Sequence, residues 1–69
     1  MTCSYCQQGL IYEARFPGGD QVVYLCDDCE SVWYERSQLA LPPPSALYAE
    51  FKRRDLPEDW ELLTDLRRL

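Results

Sequence analysis

Four cysteines stand in two pairs, Cys3-Ser4-Tyr5-Cys6 and Cys26-Asp27-Asp28-Cys29, with nineteen residues between them, and the chain has no other cysteine and no histidine. Two Cys-x-x-Cys pairs at this separation have the spacing of a zinc site. Each tight turn sets two thiolates on one side of the backbone, and two such turns facing each other make a tetrahedron of sulfurs. Zn²⁺ accepts that geometry at about 2.3 Å per Zn–S bond, and four protein ligands leave no position for water or substrate. The predicted chemistry is therefore one structural Zn²⁺ held by Cys3, Cys6, Cys26 and Cys29.

Two disulfides, or a thioredoxin-like redox pair, are the competing readings. The chain begins Met1-Thr2-Cys3 with no positively charged, apolar leader, so an oxidising compartment is not expected. A redox pair would want a βαβ setting with its attacking thiol at a helix N-terminus, and neither pair has one. A single iron atom in the same four thiolates is chemically similar, and the sequence does not choose between the two metals.

Sixty-nine residues make one small domain, near the size at which an apolar core alone is marginal. Zinc affinity is folding free energy in such domains, on the order of 10–16 kcal/mol in finger peptides, so chelation is expected to unfold at least the first half of the chain. Seven Lys and Arg against twelve Asp and Glu give a formal charge of −5. Four bound thiolates and one Zn²⁺ would take this to about −7. Binding to a phosphate backbone is driven by cationic neutralisation and counterion release, so nucleic acid is not the expected partner. A protein with a basic surface suits the charge better. No apolar run approaches the ~18 residues of a membrane span, and a cytoplasmic protein is expected.

The elements that must position the cysteines follow from the residues between them. Leu10, Tyr12 and Ala14 alternate with Ile11, Glu13 and Arg15, and Gln21-Val22-Val23-Tyr24-Leu25 is rich in β-branched and aromatic residues, which predicts two strands. Pro17-Gly18-Gly19-Asp20 between them is turn chemistry. The hairpin carries the first knuckle to the second. Gly9 is read as relief for the tight backbone that leaves the first knuckle.

Beyond Cys29 the chain continues Glu30-Ser31-Val32-Trp33-Tyr34-Glu35-Arg36-Ser37-Gln38-Leu39. With Cys3, Cys6, Cys26, Cys29, Val32, Trp33 and Leu39 at matching places, residues 1–40 resemble the small bacterial transcription factor IIB-like zinc-finger domains. The resemblance implies a zinc ribbon and a structural zinc. It does not imply a role in transcription. That family usually has Pro after the first Cys, Gly shortly before the Trp and Glu before the final Leu, where this chain has Ser4, Ser31 and Gln38.

Trp33 has two readings, a cap on a very small core and a partner-anchoring hot spot, of which the core is favoured. Tyr5, Tyr12, Tyr24 and Tyr34 sit on a short ribbon that must leave one face partly exposed. Leu41-Pro42-Pro43-Pro44 reads as a stiff linker between a ribbon at 1–40 and a tail at 45–69. In the tail, Ser45 is placed to cap a helix over 46–54. Asp55 with Glu58 three residues on, and Pro57 in the first turn, predict a second helix toward residue 69. Its apolar stripes run through Trp60, Leu63 and Leu66, and through Leu62, Leu66 and Leu69. The fold class expected is a small metal-stabilised α+β ribbon followed by two short C-terminal helices.

No nucleophile, base and orienting group stand together in the sequence, and the cysteines are committed to metal, so an enzyme is not expected. The leading functional expectation is a zinc-stabilised protein-interaction module acting as adaptor, regulator or inhibitor. Asp27, Asp28, Glu30 and Glu35 offer a negative patch beside the metal, and Trp33, Tyr34, Trp60, Leu63 and Leu66 are the candidate anchoring side chains. The helical tail is expected to pack on the ribbon, on a partner, or on a second copy as a homodimer. The alternative function is a nucleic-acid-binding zinc ribbon. A third, redox or metal sensing by the thiolates, ranks last because the acidic neighbours disfavour thiolate reactivity.

Overall fold

A computed structural model describes residues 1–19 and 21–69; Asp20, the last residue of the expected turn cluster, lies outside the described residues. Strands β1 (Ile11–Arg15) and β2 (Val22–Cys26) form the predicted hairpin. They pair antiparallel from Ile11 opposite Cys26 to Arg15 opposite Val22. Gly18 supplies the left-handed backbone of the turn, with φ of 76°, a conformation glycine takes without a Cβ clash. β3 (Ser31–Trp33) returns along β2 with Tyr24 opposite Trp33.

The remainder of the chain completes the same sheet. Residues 41–44 lead into the two-residue strand β4 (Ser45–Ala46), which pairs with β3, and then into helix α1 (Leu47–Arg53). After a 3₁₀ turn at Trp60–Leu62, strand β5 (Thr64–Arg68) runs antiparallel to β1. Among the described residues the sheet has five strands in the order β4-β3-β2-β1-β5.

One helix follows the ribbon, not two. Asp55, expected to open the second helix, instead closes the first. It takes φ of 56°, its amide donates to Lys52 O at 3.1 Å, and the Leu56 amide donates to Phe51 O at 2.9 Å. This is the paired hydrogen-bonding pattern of a left-handed helix stop. Past it, Asp59 Oδ1 accepts from the Glu61 amide at 2.9 Å, a cap that sustains only a single 3₁₀ turn. A lone helix of this length is marginal in water, whereas the open edge of β1 offers ladder hydrogen bonds and a buried slot for Leu63. Tertiary pairing overrides local propensity here. Ser45 is likewise displaced from its expected capping place: the N-cap is Ala46, with extended φ of −133°, and the Ser45 hydroxyl donates to Glu50 Oε2 at 2.7 Å.

Alternation along the strands gives the sheet two faces, and each carries its own core. Ala14, Phe16, Val23, Leu25 and Val32 face α1, whose Leu47 and Phe51 cover them, and Leu63 completes this cluster. Phe16 and Phe51 meet edge to face with centroids 5.2 Å apart. Cys3, Ile11, Cys26, Trp33 and Leu39 form the second cluster, in which the cysteines are part of the packing. No helix among the described residues is long and apolar enough to cross a membrane.

Candidate metal centre

The first knuckle is closed by its own backbone: the Cys3 amide donates to Gly9 O at 2.8 Å, and the Gln7 amide donates to Cys3 O at 2.9 Å. The second grows out of the end of β2, since Cys26 is the last residue of that strand. In both, the residue after the second cysteine is left-handed, Gln7 at φ 60° and Glu30 at φ 59°. The two knuckles are thus local copies of one turn, presented to each other by the β1–β2 hairpin.

They meet through Gly9. A Cβ there would stand 2.4 Å from Cys26 Sγ, 2.7 Å from Asp28 Cβ and 2.9 Å from Asp27 Oδ1, so no side chain fits. Asp27 adds a second tie, because its Oδ1 accepts from the Leu10 amide at 2.9 Å and its own amide donates to Leu10 O at 3.1 Å.

The four sulfurs all lie within 4.8 Å of one another. Across the knuckles, Cys6 and Cys26 are 3.6 Å apart and Cys3 and Cys29 are 3.9 Å apart. A regular tetrahedron of sulfurs about 2.3 Å from a central ion has edges of roughly 3.8 Å, which the two cross-knuckle distances match, so the cluster could hold one tetrahedral ion such as Zn²⁺. All four cysteines are free of disulfides. Cys3 and Cys26 are buried, while Cys6 and Cys29 are half-buried.

The electrostatics of the thiols are unequal. Amide donors from Gly9 and Gln8 bring the Cys6 thiol down to about 6, and the Gly9 amide lies 3.4 Å from Cys6 Sγ. Burial pushes the Cys26 thiol up to about 12, although the Asp28 amide, 3.4 Å from its sulfur, works the other way. A cation between them reverses that burial penalty, since a coordinating thiol is deprotonated outright. Four ligands and no open position make this a structural arrangement.

The other residues singled out from sequence are scattered. Trp33 is fully buried beside the cysteines, and its Nε1–H donates to Leu41 O at 2.9 Å. Tyr34 lies on the opposite face, where its hydroxyl donates to Glu50 Oε2 at 2.9 Å. Asp28 is exposed next to the second knuckle. Trp60 is half-buried against Tyr12, edge to face at 6.3 Å, and its Nε1 lies 3.4 Å from Glu30 Oε2. Leu63 is in the core and Leu66 is 46% exposed on β5. The structure gathers the four cysteines into one site and does not gather these side chains into another.

Sequence reasoning missed Glu50. Its side chain is fully buried and receives Ser45, Tyr34, Arg53 at 2.6 Å and Arg54 at 3.0 Å. Burial alone would raise its pKa, but the Ser45, Tyr34 and Arg54 hydrogen bonds and the Arg53 charge outweigh burial and hold the carboxyl below its ordinary value. The i, i+3 and i, i+4 spacing to Arg53 and Arg54 was visible in the sequence; the burial was not. Comparison with protein families, with curated proteins and with solved structures finds no match for the chain.

Proposed function

We propose that the chain is a small zinc-stabilised protein-interaction module, an adaptor, regulator or inhibitor whose four-cysteine site is structural and holds Zn²⁺. The observation that carries this reading is the disposition of charge around the metal centre. Four cysteines supply the sulfurs, Asp27 and Asp28 within the second knuckle and Glu30 directly after it are exposed, and Glu35 further along is exposed as well. On a chain of net charge −5, that presents an acidic surface on a fold made rigid by metal, which complements a basic protein surface. The resemblance of residues 1–40 to transcription factor IIB-like zinc-finger domains supports zinc as the ion.

The ion pairs favour a protein partner over nucleic acid. Arg15 pairs with Asp65, Arg67 with Glu13, and Arg53 and Arg54 share the one carboxylate of Glu50, so these four cations are largely offset by three acidic side chains of the same chain. The module would act by occlusion or scaffolding, not by chemistry of its own. The test is affinity capture with zinc-loaded wild type and with an Asp28→Lys/Glu35→Lys variant, both checked for folding. A protein retained by wild type and lost with the variant supports the reading. Identical capture by both, or none by either, argues against it.

A further inference from the structure

We infer that Ser31 completes the metal centre as a hydroxyl donor to the Cys29 thiolate. Its Oγ lies 3.1 Å from Cys29 Sγ, and the residue is 5% exposed. As a thiol, Cys29 Sγ–H is the donor and Ser31 Oγ the acceptor of this contact; a thiolate that binds metal carries no proton, so with metal bound the same pair is kept only by reversal, the hydroxyl donating to sulfur. Hydrogen bonds with an ionised partner are stronger than neutral ones, and a buried hydroxyl is costly to leave unpaired.

The knuckle repeat explains why a side chain is needed at this place. After the left-handed Gln7 the chain turns through Gln8 to Gly9, whose amide donates to Cys6 Sγ. After the left-handed Glu30 the chain enters β3 at once: Ser31 pairs with Ala46, and Val32 pairs with Leu25 and Ser45. The second knuckle has no loop with which to return an amide to Cys29. Ser31 supplies from its side chain what Gly9 supplies from backbone. Its place in β3 also links the metal to the C-terminal half, because the neighbouring Glu30 O accepts the Leu47 amide at 2.7 Å, where α1 begins.

Ser31 is thus a positioning residue for a ligand, and the inference rests on the four cysteines binding a metal. Outer-shell partners of this kind are worth about 10–100-fold in metal affinity. The experiment is competition of zinc against a chromophoric chelator for wild type and Ser31→Ala, with Co²⁺ loading of both. The expected result is about a tenfold weaker zinc affinity for Ser31→Ala. The sulfur-to-cobalt charge-transfer band should also move to longer wavelength, because a sulfur that loses its donor holds its electrons less tightly. Pure packing damage would lower affinity without moving that band. Affinity within about twofold of wild type, well short of the outer-shell range, or an unmoved band, overturns the role of Ser31 while leaving the metal site intact; a wild type that binds neither ion overturns both. If Ser31→Ala does not fold with zinc in excess, a proton–cadmium correlation spectrum of the ¹¹³Cd-loaded wild type decides. A cross-peak from the Ser31 hydroxyl supports the inference, and its absence overturns it.

Discussion

Gly9 and Cys26 approach so closely that a Cβ on Gly9 would stand 2.4 Å from Cys26 Sγ. This is where the first knuckle touches a ligand of the second, and the contact holds the two Cys pairs at metal-binding separation. Gly9→Ala is expected to cost more than about 3 kcal/mol, or roughly 100-fold in zinc affinity. Gly19→Ala is the control, since a Cβ there meets nothing nearer than Phe16 O at 3.7 Å. Chelator competition on both variants measures the difference.

Metal removal should unfold the whole chain. Trp33 packs in one cluster with Cys3 and Cys26, while Trp60 packs against the cluster on the opposite face of the same sheet. With the sheet shared, neither core has an independent scaffold. The fluorescence of Trp33 and of Trp60, the latter read separately in a Trp33→Phe variant, should shift red at the same chelator concentration. Two separated transitions would mean that α1 and its core survive without metal.

Glu50 is the polar counterpart of the four-cysteine cluster on the other face. Glu50→Gln removes a buried carboxylate bonded to Ser45, Tyr34, Arg53 and Arg54, with an expected cost of about 2–4 kcal/mol at pH 7. The folded carboxyl titrates below its ordinary value of 4.5, so its contribution is fully present above that value and is lost as pH falls through the lower folded pKa. The stability gap between wild type and Glu50→Gln, read from urea midpoints, should stay constant from pH 7 to 5 and narrow only below 4.5.

At the end of α1, Asp55 holds a left-handed backbone with φ of 56°. Glycine takes this conformation without the Cβ penalty, so Asp55→Gly should raise stability by about 0.5 kcal/mol, net of the added freedom of the unfolded chain. Had Asp55 been the cap of a second helix, the same change would cost a few tenths of a kcal/mol instead of stabilising. Thermal unfolding of the zinc-saturated proteins reads the sign.

Strand β5 separates Leu63 from Leu66, which a helix would set on one face. Leu63 is buried in the α1-side core and Leu66 is 46% exposed. Leu63→Ala should cost about 2–4 kcal/mol, and Leu66→Ala should stay within about 0.5 kcal/mol. Equal costs would restore the helical reading.

The four-cysteine cluster, the hairpin and the first helix of the tail were legible in sequence because each is set by short-range chemistry. Two Cys-x-x-Cys turns, alternation over five residues, and glycines between two strands need no knowledge of what lies across the molecule. The sequence also marked a special role for Gly9, although the steric reason, a neighbouring sulfur, became visible only with the second knuckle in place. The C-terminal residues were misread for the opposite reason. Asp55, Pro57 and Glu58 carry a helix-start pattern, yet the local preference of a short, lone helix is weak. The open edge of β1 is far away along the chain, as the pairing of Tyr12 with Arg68 shows, and no local pattern records it. Distance along the chain also hid Glu50, whose partners Tyr34 and Ser45 come from outside α1. Sequence by itself determined which atoms are set to bind metal and which turns present them. Only the tertiary structure decided that the tail finishes the sheet, because strand pairing is a bond between distant residues, whereas helix signals are written in neighbours.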